Sequence, residues 1–349
     1  MFTAKVKALL GTELPIIQAP MAGVQDANLA IAVSKAGGLG SIPCGMLGIE
    51  AIVSDIIKVK AATTEPYNLN FFCHQMPDYN QAQHDVWQNT LAKYFIELGI
   101  SCENGPNSAN RMPFNHDIAD AIEAFKPEFI SFHFGLPEQK LFDRIKSWGT
   151  KVVSSATTLE EALWLEAKGV DAIIAQGIEA GGHRGMFLTD DITTQVGSMA
   201  LISQIVKKVD IPIIAAGGIA DAQGVKASLL MGAGAVQIGT AYLLCDEANT
   251  SALHRLALKS EKASHTALTN LFSGKPARGI VNRIMNELGC MSALAPSFPH
   301  AAIEITQLRQ YAEKQGLDGF SPLWSGQNTS GCLDISAKEM TKLLVSQLE

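Results

Sequence analysis

Residues 213–240 read IIAAGGIADAQGVKASLLMGAGAVQIGT. Two short apolar runs, 213–216 and 235–238, flank an amphipathic stretch of helical length at 221–231. The first run ends in Gly217 and Gly218, the second in Gly239 and Thr240. Runs that are apolar throughout, separated by helices, are the mark of strands buried on both faces in a parallel sheet.

The same unit recurs upstream. Apolar runs at 16–18, 39–42, 68–72, 129–133, 151–154 and 172–175 alternate with helical patterns at 28–35, 50–60, 118–125, 139–148, 159–168 and 198–207. With the opening pair this makes eight strands, which predicts an α/β fold: a closed (β/α)8 TIM barrel rather than an open sheet. The barrel is expected over 1–245. An excursion at 73–115, loop with helix, is too polar and too long for a plain connection. It follows the third strand, so it is expected over the C-terminal mouth, where barrel loops carry function. From 246 to 349 the chain reads as an added, mainly helical and strand-poor domain on the substrate side, with a last helix near 337–347.

Composition narrows the classes. Hydrophobic residues make up 47% and charged residues 17%, which excludes a disordered chain. A net charge of −7 gives no reason to expect nucleic acid or an anionic membrane as partner. Residues 1–11 hold no signal-peptide apolar region and no run is long enough to cross a bilayer, so a cytoplasmic enzyme is expected. The six cysteines, Cys44, Cys73, Cys102, Cys245, Cys290 and Cys332, include no CxxC pair. That spacing argues against a metal site or a disulfide framework and reads as buried, reduced thiols.

In a barrel the strand ends converge on one face. The loops after strands seven and eight are its usual phosphate site, so Gly217, Gly218, Gly239 and Thr240 together read as a phosphate cradle rather than as two unrelated turns. Asn70, Gln176 and Gln237 add three neutral amides at strand ends, which suit an uncharged heterocycle. The combination favours flavin mononucleotide, FMN. No GxGxxG follows a strand, so a dinucleotide fold is not indicated. The sixth strand runs into QGIEAGGHRG, 176–185, whose four glycines mark a backbone that turns sharply or approaches a ligand.

The stretches IIQAPMAGV, NFF, SFHFGLP, QGIEAGGHRG, AAGGI, VQIGTAYL and LWSGQ together resemble the nitronate monooxygenase family, FMN-dependent barrels. AAGGI is common among phosphate-binding barrels; EAGGHRG with SFHFGLP is specific. The resemblance implies FMN contacts at Ala19, Pro20, Met21, Ala22, Asn70, Gln176, Gly181, Gly182, Gly217, Gly218, Gln237, Ile238, Gly239 and Thr240, and no metal. It puts the active-site histidine at His133, with His183 near the flavin in a role left open. It further implies that a nitronate, with propionate 3-nitronate typical, gives one electron to the flavin. Reaction with O2 then yields an aldehyde or ketone and nitrite. His133 would orient the nitro oxygens, and would act as a base only on neutral nitroalkanes.

Arg184 reads equally as a neutraliser of phosphate or substrate and as an exposed ion-pair partner. Tyr311 and Lys314 are candidates for the substrate tail. A substrate carboxylate calls for a Lys, Arg or Tyr from the cap or the excursion, and the sequence assigns none. A homodimer is compatible with the sequence but not required by it. The alternative reading is a flavin-dependent enoyl-acyl-carrier-protein reductase using NADH, against which the SFHFGLP stretch argues. A non-catalytic flavin binder and a dehydrogenase of the inosine-monophosphate type are weaker still, the latter for want of a cysteine in a strand-end motif.

Overall fold

In the computed structural model, which describes residues 4–102 and 111–348, the strands are β1 (Ile16–Gln18), β2 (Gly40–Pro43), β3 (Tyr67–Phe72), β4 (Phe129–His133), β5 (Lys151–Ala156), β6 (Ala172–Gln176), β7 (Gly182–His183), β8 (Ile213–Ala216), β9 (Ala235–Ile238), β10 (Thr266–Thr269) and β11 (Ala277–Ile280). Positions 1–3, 103–110 and 349 of the expected segments lie outside the described residues. Eight strands form one parallel sheet in the order β1-β9-β8-β6-β5-β4-β3-β2. It closes on itself at Leu39, whose carbonyl accepts from Gln18 N at 2.9 Å and whose N–H donates to Ile16 O at 2.8 Å. This is a TIM barrel.

Side-chain parity sorts every strand into two faces. Ile17, Leu39, Phe129, Val153, Ala172, Ile174, Ile214, Ala216 and Ala235 fill the interior, with Val6 and Leu10 of helix Ala4–Leu10 at its base. Ile16, Ile130, Val152, Ile173, Ala175, Ile213, Ala215, Val236 and Ile238 join the surrounding helices in the larger core. The same parity puts Asn70, His133, Ser155, Gln176 and Gln237 on the interior side at the tops of their strands. The site is therefore a consequence of register.

The excursion is more ordered than its polarity suggests. Helix Gln81–Leu98 runs between the Asn80 cap, whose side chain accepts from Gln83 N, and Gly99 at φ +66. Its Trp87, Leu91, Tyr94 and Phe95 pack with Leu271, Phe272, Ile284, Met285, Ile305 and Leu308 in a second core, so excursion and C-terminal region bury one shared apolar surface. The region after 246 is mainly helical and strand-poor, as expected, but it carries a small sheet that the sequence did not indicate. β10 and β11 pair antiparallel there, and β7, donated by the glycine-rich loop, adds a third strand to β11. Helix Ala337–Leu344 packs on the barrel helices Ala27–Lys35 and Ala222–Leu230. Among the described residues no helix is long and apolar enough to cross a membrane.

Candidate active site

The barrel mouth opens into a cavity of about 1410 Å³, open mouth included. Ala19, Pro20, Met21, Ala22, Asn70, His133, Gln176, Gly181, Gly182, His183, Gly217, Gly218, Gln237, Gly239 and Thr240 all line it. Ile238 does not. Parity sends its side chain outward into the helix layer, and its carbonyl accepts from Ala19 N at 2.8 Å. Tyr311 and Lys314, on helix Ala302–Lys314, are also absent from the lining.

The turns after β8 and β9 have the expected backbone. Gly217 and Gly218 sit at φ +108 and +74, where a side chain would be strained. The 325–328 stretch folds against both turns: Gly326 N donates to Thr240 Oγ1 at 2.9 Å, and Asn328 Nδ2 to Gly218 O at 3.1 Å. A Cβ on Gly181 would come within 2.6 Å of Gly326 N, so only glycine lets these two segments meet. One amide is left open, since Gln237 Oε1 is buried without a hydrogen-bond partner among the described residues. Such an acceptor calls for an N–H from a ligand. A glycine cradle beside an orphan amide oxygen fits a phosphate-bearing heterocycle.

Gln176 is engaged within the protein. Its Nε2 donates to His183 O at 3.0 Å and its Oε1 accepts from Gly185 N at 2.8 Å, so it shapes the loop that it begins. Arg184 is neither exposed nor in the cavity lining, which corrects both readings offered for it. It is fully buried and donates to Gln176 O and Gly177 O, each at 2.6 Å, and to Gln195 Oε1 at 2.9 Å. Burial lowers its guanidinium to about 10, still charged at neutral pH. Arg278 donates to the next carbonyl, Ile178 O, at 2.9 Å, and Gln327 N to Glu179 O at 2.9 Å. Four successive loop carbonyls are thus held, two by Arg184 of the loop itself and two by Arg278 and Gln327 of the C-terminal region.

The two motif histidines differ in what they have free. His133 Nε2 lies 3.1 Å from His183 O, which can only accept, so that nitrogen carries the proton and Nδ1 accepts from Ser155 Oγ at 3.0 Å. Both ring nitrogens are therefore occupied. His183 contacts Ser273 Oγ through Nε2 at 2.8 Å, and its Nδ1 has no partner among the described residues. Its ring packs among Phe72, Phe134, Phe298 and Trp324 at centroid distances of 6.4, 6.1, 5.6 and 5.6 Å. Desolvation lowers His133 to about 4 and His183 well below the ordinary 6.5. Both rings are neutral at physiological pH.

Burial likewise lowers His74 and His254 to about 4. Unfolded histidine protonates near 6.5, so between that value and about pH 4 the unfolded chain binds more protons than the folded one. This contribution to stability is complete above about pH 6.5 and is lost as pH falls through that window. Thermal melts should give a lower Tm at about pH 5 than at about pH 7.5; an equal or higher Tm at pH 5 would contradict the buried neutral rings.

Sequence reasoning missed several lining residues. Ser155 is one step beyond the end assigned to its strand, Trp324 and Gly326 come from a C-terminal stretch read only through its resemblance, and Asn328 follows that stretch. Arg111, the one charged side chain among the described lining residues, carried no signal at all. Among the described residues no group of three or more His, Cys, Asp or Glu is placed to hold a metal.

Fold and site define a TIM barrel with a ligand cavity at the C-terminal mouth of its strands. The sequence pattern of the nitronate monooxygenase family matches residues 3–347. The nitronate monooxygenase of Pseudomonas aeruginosa is 38% identical over 99% of both chains, and that of Paraburkholderia phytofirmans 39% identical over 98% of this chain and 93% of its own. Among solved structures, the nitroalkane oxidase of Streptomyces ansochromogenes superposes with a TM-score of 0.88 at 34% identity, covering 99% of this chain and 98% of its own. The chain belongs to the nitronate monooxygenase family of flavin-dependent oxidoreductases.

Proposed function

We propose that this chain oxidises alkyl nitronates, propionate 3-nitronate among them, to an aldehyde or ketone and nitrite, using O2 and bound FMN. The observation that carries the reading is the state of the pocket's histidines. His133, His183 and His254 are all made less basic by burial, and the described lining contains no carboxylate. Such a pocket has little capacity to abstract a proton, and a nitronate arrives already deprotonated. Gly217, Gly218, Gly239 and Thr240 would hold the FMN phosphate. Asn70 and Gln237 would meet the ring system, against the backbone of Ala19, Pro20, Met21, Ala22, Gly181 and Gly182. Bound flavin supplies the electron acceptor.

His183 is assigned the contact with the nitronate oxygens, since its ring has a nitrogen free. His133 then acts on the substrate through the loop, fixing the carbonyl of His183 from below. The 1–245 barrel holds the cofactor, while the 246–349 region with the excursion covers the substrate. The setting is cytoplasmic, with no nucleic-acid partner.

The test is anaerobic addition of propionate 3-nitronate, and separately of NADH, to the flavin-loaded protein while its visible spectrum is followed. A rapid flavin change with the nitronate and none with NADH is expected. Full bleaching by NADH alone would overturn the reading in favour of a reductase.

A further inference from the structure

A third histidine lines the cavity besides His133 and His183. His254 is 4% exposed, yet its Nε2 is buried without a hydrogen-bond partner among the described residues. It stands on helix Ala252–Leu258, where the Ser251 side chain caps the first turn by accepting from His254 N at 3.2 Å. Arg255, the next residue, ties this helix to the end of the barrel, donating to Leu244 O at 2.8 Å and Cys245 O at 2.7 Å. Ala257 and Leu258 pack with Leu243, Ile280 and Leu323 in a core to which the 73–115 excursion contributes no residue.

The ring's backbone partner is Trp324. The N–H of Trp324 already donates to Pro322 O at 2.7 Å, so its carbonyl receives and Nδ1 carries the ring proton. Burial lowers the ring to about 4, which keeps it neutral at physiological pH. Nε2 is then a bare lone pair in the cavity wall, an acceptor that calls for an O–H or N–H from a ligand. The neighbours say where that donor lies. Two residues past Trp324, Gly326 N donates to Thr240 Oγ1 at 2.9 Å in the turn assigned to the phosphate, and Leu243, at the end of the same turn, lines the cavity with His254. A phosphate oxygen at neutral pH and an alkyl nitronate only accept, and Gln237 Oε1 already offers an acceptor to a ring N–H. The hydroxyls of the ribityl chain, which joins phosphate to ring, are the donors that remain. We propose that His254 accepts a hydrogen bond from a ribityl hydroxyl of FMN through Nε2, so that the first helix after the barrel recognises the sugar-alcohol chain of the cofactor. This rests on the FMN reading above.

The experiment titrates the full-length chain, freed of flavin, with FMN, with riboflavin and with lumiflavin, which lacks the ribityl chain, and reads Kd from flavin fluorescence in wild type, H254L and H254Q. H254L should weaken FMN and riboflavin alike by roughly 3- to 10-fold, the scale of one hydrogen bond, and leave lumiflavin unchanged. H254Q, whose amide oxygen accepts, should recover part of the loss. Equal weakening of all three flavins would make the ring a packing element, and weakening of FMN alone would assign it to the phosphate. Either result overturns the contact, as does an FMN affinity unchanged within about twofold.

FMN analogues that each lack one ribityl hydroxyl give the test in unaltered protein, where the folding of a variant plays no part. One of them should bind the wild type more weakly by a similar factor and lose nothing further in H254L, since the two deletions remove the same bond. Analogues that all bind the wild type as FMN does would overturn the contact whatever H254L does. FMN held tightly with no dependence on His254 would remove the contact and leave the FMN reading standing. A wild type that binds none of these flavins would bring down both.

Discussion

Replacing Arg184 by methionine is expected to lower stability by about 3 kcal/mol and to strip most of the flavin from the purified protein. The side chain is fully buried, and its three hydrogen bonds run to Gln176 O, Gly177 O and Gln195 Oε1. Methionine fills much of the volume but donates nothing, so Gln176 O, Gly177 O and Gln195 Oε1 each lose a donor, at about 1–3 kcal/mol for an acceptor left unpaired, while Gly177 O keeps Ala180 N at 3.1 Å. Removing a desolvated charge returns part of that, hence the intermediate figure. The functional loss should exceed the loss of stability. The two loop carbonyls belong to the turn that leads into Gly181, Gly182 and His183, all of which line the cavity. R184K should rescue poorly, because an ammonium cannot present donors to three acceptors in the fork's plane. Thermal melting and flavin content read both effects, and an R184M protein with wild-type Tm and full flavin would refute the assignment.

The barrel was legible because parallel strands buried on both faces leave continuous apolar runs, and β4, β8 and β9 fall on the residues that their patterns predict. The mouth was legible for the same reason. Once a strand's register is known, every second side chain points inward, and Asn70, Gln176 and Gln237 follow from it. The one expected cofactor contact outside the lining, Ile238, differs from Gln237 by a single step of that alternation.

What stayed hidden has physical reasons too. β7, β10 and β11 are two to four residues long and take their stability from pairing across the chain, which no local pattern records. Helix Gln81–Leu98 did carry a signal, with Trp87, Leu91, Tyr94 and Phe95 spaced by turns of a helix. Polar neighbours diluted it, because that helix buries one narrow stripe against the second core. Arg184 sits between glycines and Arg111 close to Pro113, and only the packing around them separates a loop brace from a guanidinium with an unpartnered Nη1 among the described residues.

His183→Ala is expected to lower kcat/KM for propionate 3-nitronate by about 100-fold or more while the flavin is retained. His133→Ala should cost markedly less, near tenfold. The sequence favoured His133, but its two ring nitrogens are taken by Ser155 and the His183 carbonyl, so its loss loosens the loop without removing a donor to the substrate. Gln176 Nε2, which donates to that same carbonyl at 3.0 Å, would still hold it. The chemistry assigned to His183 can be separated from mere packing. A neutral ring acts on a nitronate by donating an N–H, and asparagine, also a neutral donor, should recover part of the activity that alanine loses. A general base has no such substitute. With desolvation lowering His133 to about 4 and His183 well below its ordinary range, kcat/KM on the preformed nitronate should show no acid limb near 6.5 that depends on either ring. An H183N variant as inactive as H183A, with a limb near 6.5 lost in both, would make His183 a titrating base. A larger loss in H133A than in H183A would return the catalytic contact to His133.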